Sequence, residues 1–253
     1  MPSSRFAAGR CIDTGASLVI THGQHVITGA TSDIGRAIAV ALAEQGHEVG
    51  ALGRNRKILS ELQAQFPKLV HTHAIDLREA ADLERVAQAT QSGGVAALIH
   101  CSGVYHTGEI ASAPVSDLDD LYQSNVRAPY ALTQALLPGL IRARGHVIFI
   151  NSSAGLSHRP RLSGYSATQH ALRVMADSLR DEVNPQGVRV TSLYLGRTAS
   201  QRMARIFAGE GRSYTPELLL QPEDIAATVL QVLKLNSRAE ITDLSIRPSR
   251  KSY

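Results

Sequence analysis

The fold of this 253-residue chain is decided by the stretch HVITGATSDIG at residues 25–35. Its start is mainly apolar and β-branched, which predicts a short buried strand, and Gly29 and Gly35 enclose a turn. Apolar residues at helical spacing follow over residues 37–42 and predict a helix. A strand, a glycine turn and a helix N-terminus aim backbone N–H groups at one point, which favours binding of a pyrophosphate. A plain turn without a ligand can carry the same two glycines.

The alternation of short apolar runs with longer helical segments continues along the chain. Because parallel strands need crossover connections, we predict a single-domain α/β Rossmann fold, a doubly wound seven-stranded parallel sheet. Strands are predicted at residues 25–28, 47–52, 69–75, 96–100, 146–151, 188–195 and 240–246. Helices are predicted at residues 34–45, 55–65, 79–91, 116–144 with a break at Pro138, 161–183 and 222–235.

Composition indicates one soluble domain. With 43% apolar residues the chain can bury one substantial core, so we expect an extension at residues 1–23 and a single domain at 24–253. A net charge of +4 arises from basic residues spread along the sequence. This bias is too mild to indicate a nucleic-acid partner, and none is expected, but it is compatible with an anionic cofactor or substrate.

The two cysteines, Cys11 and Cys101, stand far apart and lack metal-ligand spacing. We therefore expect reduced thiols, no metal site and a cytoplasmic protein. No segment reaches 18 consecutive apolar residues, so no membrane association is expected.

Further segments match, in order and spacing, the short-chain dehydrogenase/reductase family, which the chain resembles from about residue 24 to residue 248. TGATSDIG at residues 28–35 is similar to the family's TGxxxGxG turn, with Asp33 in place of the middle glycine. Asp33 is expected to cap the following helix. The resemblance implies a nicotinamide dinucleotide bound by Gly29, Thr31, Ser32, Asp33, Ile34, Gly35, Asp76, Leu77, Cys101, Gly103, Tyr165, Gln169, Gly196 and Thr198.

The end of the second predicted strand bears on the choice of cofactor. An acid there would bind the ribose 2′-hydroxyl of NAD and repel a 2′-phosphate. The sequence LGRNR at residues 52–56 has no acid, and Arg54 is placed to pair with a 2′-phosphate through its planar guanidinium. We predict NADP(H), with a solvated arginine at a helix start as the alternative.

The resemblance also implies the catalytic residues. Tyr165 matches the family's acid/base tyrosine, and Ser152, 13 positions earlier, matches the serine that holds the carbonyl oxygen. Gly155 sets the register on Ser152 rather than on Ser153. Asn125 matches the assisting asparagine and is expected to support a water relay.

Gln169 stands where the resemblance leads one to expect a lysine, four residues after Tyr165. Its spacing keeps it on the tyrosine's helix face, so its amide can reach the nicotinamide ribose. A lysine about 4 Å from the phenolate would favour ionisation by up to ~4 kcal/mol, roughly three pKa units. Reduction could persist slowly, or the site could have left redox chemistry. Alternatively, another cation could replace the lysine, the candidates being Arg173, His158, Arg159 and Arg161.

Function follows as an expectation from this resemblance. We predict an NADP(H)-dependent oxidoreductase that reduces a carbonyl or oxidises a secondary alcohol on a small molecule. The alternative is a dinucleotide-binding scaffold with weak or no hydride transfer, either a regulator or an elimination or isomerisation enzyme. The helices at residues 116–144 and 161–183 correspond to those through which the family pairs, so a homodimer or homotetramer is expected.

The segment 198–220 is expected to cover the substrate. Together with residues 158–161 its arginines suggest an electropositive rim and an anionic substrate, although solvated arginines on an amphipathic helix explain the same pattern. These arginines are Arg202, Arg205 and Arg212, with Arg197 just before the segment.

Overall fold

A computed structural model describes residues 23–89 and 94–250. The described residues form one seven-stranded sheet in the order β3-β2-β1-β4-β5-β6-β7, with every pairing parallel. The predicted Rossmann architecture is therefore confirmed. The strands are β1 Gln24–Thr28, β2 Val49–Gly53, β3 Val70–Ala74, β4 Val95–His100, β5 His146–Ser152, β6 Arg189–Leu195 and β7 Asp243–Ile246.

Helices cover both faces of the sheet. The helices are α1 Asp33–Glu44, α2 Arg56–Gln65, α3 Ala80–Ala89, α4 Val115–Tyr122, α5 Ala128–Ala143, α6 Ser163–Val183, α7 Gln201–Gly209 and α8 Pro222–Lys234. Apolar side chains of α1, α2 and α8 form one core layer with the sheet, and those of α3, α5 and α6 form the other. β1 is buried along its whole length, although only Val26 and Ile27 of its five residues are apolar.

The helix predicted at residues 116–144 is interrupted, but not at Pro138. A π turn at Gln123–Arg127 separates α4 from α5, and α5 continues through Pro138. Pro138 faces solvent, so the backbone carbonyl that its missing N–H leaves free can be hydrated. The buried neighbours Leu136 and Leu140 hold the helix against the sheet, which makes the predicted break wrong.

Some predicted features fall on residues that the structure leaves out of its description. These are the extension at residues 1–22, Cys11 and the end of the third predicted helix at residues 90 and 91. In the described ranges, no helix combines the length and apolarity needed to cross a membrane. Over the same ranges, no group of three His, Cys, Asp or Glu side chains could hold a metal ion.

Three histidines are buried in the sheet. Burial lowers the pKa of His25 to about 4, of His100 to about 3 and of His146 to about 3. The Thr191 hydroxyl donates to the Ile241 carbonyl, so it accepts from His146, whose Nε2 lies 2.8 Å away. This arrangement requires the neutral tautomer with its proton on Nε2.

We expect the free energy of unfolding to fall as the pH drops below 6.5. In the unfolded chain these histidines titrate near 6.5, so between that value and their folded pKa values the unfolded chain binds more protons. Each histidine then removes about 1.4 kcal/mol per pH unit. Urea unfolding at pH 7.5, 6.5 and 5.5 measures the slope.

The matched variants separate buried from exposed histidines. His146→Gln keeps a donor for Thr191 and removes one titrating group, so it should reduce the slope by about one third. His158→Gln alters an exposed histidine and should leave the slope unchanged. An unchanged slope in His146→Gln would contradict this account.

Candidate active site

The glycine turn brings β1, α1 and the loop after β4 into backbone contact. Gly29 has a φ of 66°, and a Cβ there would lie 2.9 Å from the Ser102 backbone. A Cβ at Gly35 would lie 2.2 Å from the Gly29 carbonyl oxygen. The Ser32 hydroxyl accepts from the Gly35 N–H at 3.2 Å and donates to the Gly29 carbonyl at 2.7 Å. The result is a cradle lined by backbone.

Asp33 does not cap α1, so this expectation was wrong. Ser32 has the extended backbone of an N-cap, whereas Asp33 is already the first residue of the helix. The Asp33 carboxylate instead accepts from the Gln201 backbone N–H at 2.9 Å. Arg202, the next residue of α7, donates to the Gly103 carbonyl. The first turn of α7 is thus tied to both sides of the cleft that follows β1 and β4.

That cleft, hereafter the dinucleotide cleft, has a volume of about 170 Å³. It lies at the carboxyl ends of β1 and β4, where the strand order reverses and where sheets of this kind bind ligands. Ile34 and Gly35 lie behind it at the start of α1. The predicted residues that line it are Gly29, Thr31, Ser32, Arg54, Asp76, Leu77, Cys101 and Gly103.

Four predicted cofactor residues lie elsewhere, Tyr165 and Gln169 on α6 and Gly196 and Thr198 after β6. Gly196 lines a second cavity, described below. Thr198 is buried, and its hydroxyl donates to the Gly196 carbonyl at 3.2 Å. Burial raises the pKa of the Cys101 thiol to about 11, so the thiol at the edge of the dinucleotide cleft stays neutral at physiological pH.

An ion-pair network stands at the far end of the dinucleotide cleft. The Asp76 carboxylate accepts hydrogen bonds from the Arg78 guanidinium, at 3.0 Å from Nε and 2.6 Å from Nη2, and these side-chain bonds lower the pKa of its carboxyl. Arg78 also reaches Asp120 at 3.3 Å. Arg54 lies 3.9 Å from Asp76, and its side chain is 64% exposed. Sequence reasoning missed Arg78, whose position two residues after Asp76 was the available signal.

Ser152 and Tyr165 meet in a second cavity of about 330 Å³, hereafter the substrate cavity. Ser152 ends β5 and Tyr165 lies in the first turn of α6, so β5 and α6 bring the pair together. The Tyr105 ring packs edge-on against Tyr165, with centroids 4.9 Å apart. Residues of α7, including Met203 and Ile206, form another wall.

Asn125 lies in the π turn and holds the loop after β4. Its Oδ1 accepts from the Val104 N–H at 2.8 Å, and its Nδ2 donates to the Val104 carbonyl at 3.1 Å and to Thr168 at 3.3 Å. The side chain is buried, and both its amide oxygen and its amide nitrogen are engaged. Asn125 therefore connects the β4 loop to α6.

Comparisons with known proteins agree with this geometry. Residues 24–211 match the family model described as short chain dehydrogenase. The chain belongs to the short-chain dehydrogenase/reductase family. An uncharacterized oxidoreductase of Staphylococcus aureus strain MW2 is 30% identical over 235 residues, covering 91% of this chain and 99% of that protein.

Solved structures of the family resemble the whole fold. The closed form of a serine dehydrogenase complexed with NADP+ has a TM-score of 0.82 at 26% identity, covering 91% of this chain and 96% of that one. A short-chain dehydrogenase from Escherichia coli CFT073 complexed with NADPH has a TM-score of 0.80 at 27% identity, covering 90% and 98%.

The chain's own residues fit the nicotinamide dinucleotide that the family binds. The glycine cradle leaves backbone N–H groups and open space where side chains would intrude. Gln169 is buried, and within the described residues its Oε1 has no hydrogen-bond partner. The Asn151 amide donates to the Gln169 carbonyl at 3.1 Å and holds that residue in position. A ribose hydroxyl of the cofactor can donate the hydrogen bond that Gln169 Oε1 does not receive from the protein.

Burial raises the pKa of Tyr165 above its ordinary value of 10. A hydrogen bond with Ser152, the positive charge of Arg202 and a hydrogen bond with Gln169 oppose this shift only in part. The tyrosine thus holds its proton firmly at neutral pH.

The structure gives the cationic side chains that were candidates to replace the missing lysine different surroundings. Arg173 is exposed and lies 3.9 Å from Asp177. The Arg161 carbonyl accepts hydrogen bonds from Gly108 and Thr107. Arg159 lines the substrate cavity. The positive charge that lowers the pKa of Tyr165 belongs instead to Arg202, on α7.

Gly35→Ala should destabilise the protein by about 1–3 kcal/mol, because its Cβ would overlap the Gly29 carbonyl. The same displacement of α1 should weaken dinucleotide binding. Gly209→Ala is the control, since a Cβ there meets nothing within 4 Å. Thermal unfolding with and without NADPH measures both effects, and equal stability of the two variants would refute the close-contact argument.

Proposed function

We propose that this oxidoreductase uses NADP(H) to reduce a carbonyl group, or to oxidise a secondary alcohol, on a small molecule. The observation that carries the proposal is the joint lining of the substrate cavity by Ser152 and Tyr165. Two hydroxyl groups at one cavity can hold and protonate one oxygen atom.

A bound nicotinamide supplies or accepts the hydride in this chemistry. In reduction, Tyr165 gives its proton to the carbonyl oxygen while the carbonyl carbon receives the hydride, and the product is a secondary alcohol. Ser152 donates a hydrogen bond to that oxygen. Because the pKa of Tyr165 is raised, the acid form is the abundant one, which favours reduction over oxidation at neutral pH.

Gln169 and Asn125 act around this pair. Gln169 offers its unpaired Oε1 to the ribose and brings no charge to Tyr165. Asn125 holds the β4 loop through Val104. The water relay assigned to Asn125 remains a prediction.

The preference for NADP(H) is supported by Arg54 and Arg78 at the far end of the dinucleotide cleft. Arg78 is paired with both Asp76 and Asp120, whereas Arg54 lies 3.9 Å from Asp76 and is mostly exposed, so its guanidinium is available to a 2′-phosphate. The related structures complexed with NADP+ and NADPH support the same preference.

The presence of glutamine instead of lysine at position 169 also supports a second candidate function. A scaffold that binds the dinucleotide but transfers hydride weakly would tolerate a tyrosine with a raised pKa. Regulation, elimination and isomerisation are the roles open to such a protein.

We also propose a cytoplasmic homodimer or homotetramer. Exposed apolar side chains on α4, α5 and α6 support pairing with a second copy, because an isolated chain would leave them in water. They are Val115, Leu118, Tyr122, Tyr130 and Val174.

Arg54→Ala and Arg78→Ala should each weaken NADPH binding by about 10- to 100-fold, because each removes a charge-assisted contact to the 2′-phosphate. Binding of NADH should change little. Arg238→Ala, an exposed arginine away from the cleft, is the charge-matched control. NADPH fluorescence titration provides the dissociation constants. Equal losses for NADPH and NADH would show that these arginines do not read the 2′-phosphate.

Tyr165→Phe should lower the rate of NADPH-dependent carbonyl reduction by about 10²- to 10⁴-fold and leave the dissociation constant of NADPH nearly unchanged. The reason is that the variant loses the proton donor and keeps the ring. Stopped-flow measurement of NADPH oxidation across a panel of ketones and quinones tests this. If NADPH binds and no member of the panel oxidises it, the reductase proposal fails.

Gln169→Lys should increase alcohol oxidation at neutral pH at least about tenfold, since a nearby ammonium favours the tyrosinate that oxidation needs. The pH at half-maximal oxidation should fall by up to about three units. His170→Lys adds the same charge at the adjacent exposed position and should change neither quantity. Equal pH profiles for the two lysine variants would argue against a catalytic role for this position.

A further inference from the structure

Arg197 is fixed at the wall of the substrate cavity by packing from two sides. Its Nη2 donates to both oxygens of Glu210, at 3.1 and 3.0 Å. Its guanidinium also lies over the Phe207 ring, 4.6 Å from the centroid. These contacts remove much of the conformational freedom that an arginine would otherwise lose on binding a ligand.

One donor of this fixed guanidinium remains unused. Arg197 Nη1 is buried and makes no hydrogen bond to any described residue. A buried unpaired N–H group of a cation is costly, so such groups in native structures call for an acceptor. The Glu210 carboxylate binds Nη2, and also Arg212 at 3.2 Å, but it makes no hydrogen bond with Nη1.

The remaining charge around the cavity is positive as well. Arg159 and Arg247 line it, and within residues 23–89 and 94–250 neither side chain has a carboxylate partner. Arg250 lines it too, and Glu210 is the acid among the lining residues. The electrostatic potential in the cavity is therefore positive and favours an anion, although Glu210, which is paired with Arg197, neutralises part of the positive charge.

We propose that the substrate is a small carboxylic acid whose carboxylate binds Arg197, with Arg159 and Arg247 adding attraction at the mouth of the cavity. This inference rests on the proposed function for the reaction at Ser152 and Tyr165. A carboxylate offers acceptors matched to the planar guanidinium fork. The cavity volume of about 330 Å³ suits a small molecule.

The experiment compares oxo acids with their methyl esters. Acetoacetate, 4-oxopentanoate and 5-oxohexanoate vary the spacing between the carbonyl and the carboxylate, and each ester removes the charge. We expect kcat/KM for the best acid to exceed that of its ester at least tenfold, and added salt to reduce the ratio. Comparable values for acid and ester throughout the series would overturn the inference.

Variants assign the effect to Arg197. Arg197→Gln should reduce the acid-to-ester ratio by about 10- to 100-fold while changing kcat/KM for the ester little. Arg197→Lys should keep part of the ratio, since it keeps the charge without the fork. Arg205→Gln, on the neighbouring helix α7 but outside the cavity, is the control. An equal loss for acid and ester in Arg197→Gln would assign Arg197 a purely structural role.

A second pair of variants guards against loss of folding. The double variant Arg159→Gln, Arg247→Gln changes two exposed residues. It should reduce the acid-to-ester ratio of kcat/KM at least twofold without lowering the melting temperature. Unchanged acid preference in that double variant would remove Arg159 and Arg247 from the proposal.

A binding measurement separates this inference from the proposed function. Calorimetry with NADPH present compares pentanoate with pentanamide, which has similar shape and no charge. Tighter binding of pentanoate, lost in Arg197→Gln, supports the carboxylate site even if no ketone is reduced. Reduction of neutral ketones without a preference for pentanoate refutes the carboxylate site and leaves the proposed function standing.

Discussion

Contact between Gly35 and the Gly29 carbonyl sets how closely α1 approaches the end of β1. A Cβ at Gly35 would lie 2.2 Å from that carbonyl oxygen, so the approach requires a glycine. The same turn positions Ser32, which caps α1, and Asp33, which binds the start of α7. The shape of the dinucleotide cleft and the position of α7, which covers the substrate cavity, therefore both depend on the close approach of Gly35 to the Gly29 carbonyl.

Tyr165 sits between opposing influences. Burial disfavours its charged form, and the hydroxyl of Ser152, the charge of Arg202 and the amide of Gln169 favour that form less strongly. A lysine at position 169 would have shifted this balance toward the phenolate by up to ~4 kcal/mol. With glutamine there, Tyr165 stays protonated and is suited to giving its proton to a carbonyl oxygen. The side chain at position 169 thereby favours reduction over oxidation.

Arginines illustrate how packing decides the use of a charge. Arg78 is committed to Asp76 and Asp120, whereas Arg54 remains mostly in water beside the same cleft. Arg197 is held by Glu210 and Phe207 and keeps one buried donor unpaired. Arg205, on the same helix as Arg202, bonds its own helix backbone. Residues of one type thus have four different environments around one site.

The sequence by itself determined the doubly wound parallel sheet, the glycine turn and the spacing of Ser152, Tyr165 and Gln169, because these depend on local periodicity and on residues close along the chain. Only the tertiary structure decided that Ser32 rather than Asp33 caps α1, since Asp33 binds Gln201 from 168 residues away. It likewise decided that α5 continues through Pro138, whose ring faces solvent while its neighbours are buried. The contact of Arg78 with Asp120 and that of Arg197 with Glu210 were also beyond the sequence, because contacts between separate segments arise from packing that no local pattern encodes.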